Sequence, residues 1–310
     1  MSSPAELYRE FEQRGGLVDL SDRVKLRLTG TDRVRYLNGQ VTSNVSLLPE
    51  GEGHPSCVLT AKGKLCADIW ISARPDALFV DADLSLRDSL PARLGRYIIA
   101  DDVELEEVTD QWRLLHVIGS APQEVPSEGG SASNARRFGF AGRDFLVHPD
   151  AFEKTWRAVA ATRPVLNAEM LDSIRVERGI PRWGCELTEA TLPPEAGLDR
   201  THVDYQKGCY VGQEVISRLK SVGHVNRRLV GLLAADRALA PLAGMKLFAG
   251  TDRERSVGDV TTAAWSFALD RPVALGYLKR GAAMQDLVAC AIETPGAEVR
   301  VTAQELPFVP

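Results

Sequence analysis

From Val24 to Leu28, apolar Val24, Leu26 and Leu28 alternate with Lys25 and Arg27, the period of a half-buried strand. Similar patterning predicts strands at 65–71, 77–80, 112–118 and 144–147, while wider apolar spacing at 31–37, 84–94, 151–160 and 167–178 predicts helices. A helix also opens the chain. Ser3 is placed as its N-cap, Pro4 at its first position and Glu6 as the partner of a capping box, with Leu7 and Phe11 as the apolar stripe and Gly15 as the end. Strands mixed with helices of this length give an α+β class. Beyond a boundary placed near Gly223, short runs at 228–233, 246–248, 256–261, 273–278 and 287–292 are separated by turn residues, which predicts a small β-barrel over 223–310 after a larger region at 1–222. The stretch 121–135 is rich in proline, glycine and serine and on its own reads as a linker.

Composition narrows the function classes. With 310 residues, the chain has room for about two or three domains. Its net charge of -5, with basic residues dispersed, leaves no electrostatic footprint for nucleic acid or an anionic membrane surface, so direct nucleic-acid binding is not expected. Cys57, Cys66, Cys185, Cys209 and Cys290 are widely spaced and form no CxxC pair, which predicts reduced thiols rather than a disulfide framework or a closed zinc site. No basic start runs into an apolar stretch, and no segment approaches the ~20 apolar residues that span a bilayer, so a cytoplasmic protein is expected. His54, His116, His148, His202 and His224 are scattered without ligand spacing, and neither a Walker loop nor a GxGxxG fingerprint follows a strand.

Three places carry candidate chemistry. The octapeptide KGCYVGQE at 207–214 sets Lys207 and Cys209 around Gly208 and ends where a short helix is predicted at 215–220, with Glu214 in its first turn and Arg218 four residues on. A nearby ammonium or a helix amino terminus stabilises a thiolate, so Cys209 with Lys207 reads as an activated thiol; the alternative is a packed thiol with a solvent-facing lysine. Glu177 shares a face with Met170 and Ile174 at the end of a predicted helix that Gly179 and Pro181 close, which sets an acid against apolar surface and the negative helix end. Such a violation marks either a functional site or an edge residue reaching water or pairing with Arg175 or Arg178. In the strand 65–71, Cys66, Asp68 and Trp70 share one face, so Asp68 either lines a cleft or is a plain exposed strand residue.

The octapeptide resembles the YgfZ-type folate-binding proteins, relatives of the glycine cleavage T-protein (aminomethyltransferase). The resemblance extends through LTGTDRVRYLNGQVTSNVSLLPEG at 28–51, LTAKGKLCADIWI at 59–71, SIRVERGIPRWGCEL at 173–187 and VGDVTTAAWSFALDRPVALGYLKRG at 257–281. It implies two interwoven folate-binding α+β lobes followed by a C-terminal β-barrel, with 121–135 as a surface loop or lobe connection. It also implies tetrahydrofolate or a derivative as cofactor, with Glu177, Asp68 and Tyr210 as its contacts and Cys209 and Lys207 as the reactive pair. Iron–sulfur client or assembly proteins are the implied partners, with an indirect effect on tRNA modification. Where T-proteins carry consecutive aspartates, this chain has Ala67 and Asp68. Alanine neither orients an amine nor relays a proton, which weighs against ordinary aminomethyl transfer. A folate-dependent aminomethyl or methyl transferase or demethylase is the alternative, with Asp68 as its acid.

Overall fold

The computed structural model describes residues 3–120, 130–291 and 298–309. They fall into two compact units: Met1–Asn167 with Asp199–Ser217, and Ala168–Leu198 with Arg218–Pro310.

The first unit runs α1 (Pro4–Arg14), β1 (Gly16–Asp19), β2 (Val24–Thr29), α2 (Arg33–Gln40), β3 (Gly53–Leu59), β4 (Leu65–Ala73), β5 (Leu78–Ala82), α3 (Ser89–Gly95), β6 (Glu104–Glu107), β7 (Arg113–Ile118), β8 (Gly130–Ala135), β9 (Gly142–Val147) and α4 (Pro149–Ala160). The strands make a five-stranded sheet ordered β3-β4-β5-β2-β6 and a four-stranded sheet ordered β1-β7-β9-β8, with antiparallel neighbours throughout. β1 precedes the whole five-stranded sheet in sequence yet pairs with β7, so the two sheets are interwoven as the resemblance implied.

Local signals account for much of this. Ser3 and Glu6 form the expected capping box at α1, although Tyr8 joins Phe11 as a buried residue while Leu7 is half-buried. In place of a continuous helix at 84–94 there is a 3-10 turn, Leu84–Leu86, and then α3. Pro91 explains the break, because a helix tolerates proline only in its first turn and must therefore begin close to Ser89. The stretch 121–135 divides: 121–129 lies outside the described residues, but Gly130–Ala135 is not loop. It pairs along its length with β9 as an edge strand. Its small polar residues carry little strand preference of their own, and pairing with β9 decides the outcome.

Buried charge joins the two sheets. Arg137, between β8 and β9, donates from Nη1 and Nη2 to Asp81 of β5 (3.1 and 2.6 Å) and from Nε to both oxygens of Asp144 on β9 (3.0 and 2.9 Å). Its guanidinium lies 4.7 Å over the Trp70 ring, and His116 Nδ1 is 2.8 Å from Asp144 Oδ1. Burial alone would raise the Asp144 pKa, but Arg137 and His116 hold it down to about 2.

The second unit begins with α5 (Ala168–Glu177) and continues, after α6 (Gln213–Ser221) has crossed between the units, through β10 (Arg227–Ala234), β11 (Lys246–Ala249), β12 (Gly258–Ser266), β13 (Arg271–Lys279), β14 (Leu287–Cys290) and β15 (Glu298–Gln304). These six strands close into the expected barrel, ordered β10-β13-β12-β11-β14-β15, with β15 returning to β10. Alternate residues such as Val230, Leu232, Leu247, Ala274, Leu278 and Ala289 fill its interior. Position 292, at the end of one predicted strand, lies outside the described residues.

Candidate functional site

Two glycines of KGCYVGQE have different duties. Gly212 adopts φ +87°, and a Cβ there would lie 2.6 Å from the Thr60 carbonyl oxygen, so both conformation and space demand glycine before α6. At Gly208 an added Cβ would meet nothing within 4 Å. Close approach therefore does not explain the glycine beside the cysteine.

Lys207 and Cys209 face different surroundings. Lys207 is 7% exposed, and its Nζ donates to the carbonyls of Asn38, Val41 and Ser43 at 2.6, 2.8 and 2.6 Å. These three acceptors take up the three donors of an ammonium and satisfy the carbonyl end of α2. Burial lowers the Lys207 pKa to about 8, against the pull of Asp204. Cys209 is exposed. The arrangement reverses the packed-thiol alternative, in which the cysteine was inside and the lysine outside, and it commits the Lys207 ammonium to backbone carbonyls.

Tyr210 turns back inward. It is 7% exposed, its ring lies 5.3 Å from Lys207 Nζ, and its hydroxyl has no hydrogen-bond partner among the described residues. Burial first, then Tyr205, Cys57 and Asp204, push its pKa far up, so the hydroxyl stays neutral and available as a donor. Other buried groups, Trp70 Nε1, His116 Nε2, Ser133 Oγ and Thr155 Oγ1 among them, also lack a partner, so it is the motif around Tyr210 that singles this orphan out as a place for a ligand or water.

The neighbouring strands bring in further polar groups. Asp68 stands opposite Cys57 in the β3–β4 register, and its half-buried side chain places Oδ1 3.1 Å from His202 Nε2. The His202 carbonyl accepts from Thr42 Oγ1 at 2.6 Å, and the same Thr42 oxygen accepts from the Cys57 amide at 2.9 Å. Ser43 Oγ lies 2.9 Å from His54 Nε2, and burial, Lys207 and His202 together lower the His54 pKa to about 4. Asp68 is thus neither fully exposed nor alone. His202 and His54 escaped the sequence reading because their partners lie elsewhere in the chain. The nearest signal was the position of His202 five residues before Lys207.

Glu177 belongs to the second unit. It is 3% exposed, and its Oε1 accepts from Ser266 Oγ at 2.7 Å and from the Ala268 amide at 3.1 Å, at the end of β12. Gly179 adopts φ +68° after the helix, as its position suggested. The carboxylate is buried among its own unit's groups rather than reaching water. One of the two oxygens needed for bidentate acceptance from a pterin is already engaged. The same unit buries Glu186, whose Oε2 takes Arg175 Nη1 (3.1 Å) and the Arg182 amide (2.9 Å), while Oε1 takes Thr261 and Thr262 hydroxyls (2.8 and 2.5 Å).

Among the described residues, no group of three or more His, Cys, Asp or Glu could hold a metal ion, and no helix is long and apolar enough to cross a membrane. Residues 227–310 match the glycine cleavage T-protein C-terminal barrel domain family. The chain is 25% identical to an aminomethyltransferase of Streptomyces avermitilis over 95% of this chain and 86% of that one. It is 28% identical to the tRNA-modifying protein YgfZ of Yersinia pestis over 74% of each. Its fold matches the glycine cleavage system aminomethyltransferase T of Bartonella henselae with a TM-score of 0.82 and 20% identity, covering 98% of this chain and 89% of that one. The chain thus carries the T-protein C-terminal barrel domain at 227–310, shares its fold with an aminomethyltransferase, and is similar in sequence both to aminomethyltransferases and to YgfZ.

Proposed function

We propose that this chain is a folate-binding accessory protein that supports iron–sulfur cluster assembly or repair, with tetrahydrofolate or a derivative as its cofactor. The observation that carries the reading is the buried Tyr210 hydroxyl without a partner, set in the octapeptide that typifies the family resemblance. A pterin supplies ring acceptors for such a donor and N–H groups for a carboxylate, so Tyr210 and Asp68 fit the cofactor. Glu177 fits it less well, because Oε1 is occupied by Ser266 and Ala268. The exposed Cys209 supplies a soft sulfur ligand for transient capture of iron from a client protein. The link to tRNA modification carried by the Yersinia relative's name is assigned to client enzymes, given a net charge of -5, and the protein is placed in the cytoplasm. Complementation tests the role. In cells lacking the native protein, Cys209→Ser should fail to restore iron–sulfur enzyme activity, and full restoration would sink the role given to the thiol.

A second reading, a folate-dependent aminomethyl or methyl transferase or demethylase acting on a small amine, is favoured by one observation. Ala67 removes one acid, but Asp68 is held by His202 and remains partly open to solvent. Turnover of tetrahydrofolate with a methylamine donor, abolished by Asp68→Asn, would establish this reading; absence of turnover with intact folate binding would leave the accessory role.

A further inference from the structure

We infer that His202 is a positioning residue for Asp68, holding one carboxylate oxygen so that the other faces an N–H donor of the ligand. The inference rests on the reading that the first unit binds a folate or its amine substrate. Asp68 Oδ1 lies 3.1 Å from His202 Nε2, and no partner for Oδ2 is present among the described residues. On the far side of the ring, Nδ1 lies 2.7 Å from Thr201 Oγ1. A hydroxyl both donates and accepts, so Thr201 can donate to Nδ1 and leave the ring N–H at Nε2, on the side of the carboxylate.

The backbone beneath the ring is fixed independently. Thr42 Oγ1 donates to the His202 carbonyl and accepts from the Cys57 amide, and Cys57 is the register partner of Asp68. A circuit therefore runs from Asp68 through His202 and Thr42 back to the strand beside Asp68. This is more structure than an incidental ion pair needs, since an isolated pair of this exposure adds little to stability. Asp68 is 26% exposed at its side chain and His202 14%, so a ligand can reach the carboxylate. A singly held, partly desolvated carboxylate accepts an N–H donor well. The pterin edge and a small ammonium share that chemistry.

The test is titration calorimetry of the whole protein with tetrahydrofolate and, separately, with methylammonium. For at least one of the two, His202→Ala should weaken binding by about tenfold or more, the usual worth of a hydrogen bond to a charged group, and Asp68→Asn by at least as much. His202→Gln, whose amide N–H can replace Nε2–H, should recover most of the loss. Loss confined to tetrahydrofolate identifies the pterin edge, and loss confined to methylammonium identifies an amine. Unchanged binding of both ligands in His202→Ala overturns the inference while leaving folate binding intact, whereas an intact protein that binds neither ligand removes the parent reading with it. A second measurement needs no ligand: nitrogen NMR of labelled histidine should show the Nε2–H tautomer of His202, with that preference lost in Asp68→Asn. A predominant Nδ1–H tautomer in the intact protein also overturns the inference.

Discussion

In the second unit, Glu186 is closed in: both of its oxygens are occupied, by Arg175, the Arg182 amide and two threonine hydroxyls, and Tyr277 donates to the Glu186 carbonyl at 2.9 Å. The first unit likewise pairs Arg137 with Asp81 and Asp144, but beside them His116 Nε2 and Trp70 Nε1 have no partner among the described residues, and Tyr210 Oη and Asp68 Oδ2 are left open as well. Closure serves the fold, because a buried ion with all partners in place resists the loss of any of them. An open donor or acceptor costs stability and is best explained by a ligand. An open group that also lies in a family motif, as Tyr210 does, is the better candidate to receive something.

The sharpest way to break the comparison is to open a closed cluster. Glu186→Ala would take one of two carboxylates from the buried Arg175 guanidinium, leaving Asp172, and would remove the acceptor of the Arg182 amide, so it should cost about 2–4 kcal/mol in urea unfolding; a loss under about 1 kcal/mol would mean that closure matters little there. Lys207→Met comes next. Three carbonyls lose their donor, so a loss of about 2–4 kcal/mol is expected in the same measurement. The rate of Cys209 alkylation should change by less than about threefold, because the ammonium serves carbonyls; a much larger fall would return Lys207 to the role of thiolate stabiliser.

His54 offers a pH signature of smaller size. Its pKa falls from 6.5 to about 4 on folding, so the unfolded chain binds the proton first. Its contribution is fully present above about pH 6.5 and is lost as pH falls toward 4, by roughly 2–3 kcal/mol. Comparing the intact protein with His54→Gln between pH 7 and 4 should show this excess loss only in the former, and parallel curves would refute it. The smallest effect on stability is expected at the open cluster. Tyr210→Phe removes a hydroxyl that has no partner and should shift unfolding by less than about 0.5 kcal/mol; a loss beyond about 1.5 kcal/mol would show the hydroxyl to be paired after all.

These differences also explain which features could be read from sequence. The capping box of Ser3 and Glu6 and the C-terminal glycine of α5 are local, and both stand where the chain's own pattern puts them. β3 went unread because Ser56, Cys57, Val58 and Leu59 are buried consecutively and show no alternation. β8 went unread because GSASNA has no apolar pattern at all, and its strand character comes from β9. The candidate site follows the same rule. Lys207 was conspicuous by its neighbours in sequence, but its three acceptors lie on and just beyond α2, far away in the chain. His202 is signalled only by its place five residues before Lys207, since the packing of 199–217 with the sheets sets it against Asp68. Residue types in a motif announce a site, whereas the direction each side chain faces is decided by tertiary structure.

The central claim is that the open cluster of the first unit receives a folate, and titration of tetrahydrofolate into the intact protein and into Tyr210→Phe tests it most directly. Binding to the intact protein, weakened about fivefold or more in a variant of unchanged stability, is the predicted result. No binding to the intact protein, or equal binding to both, would contradict it.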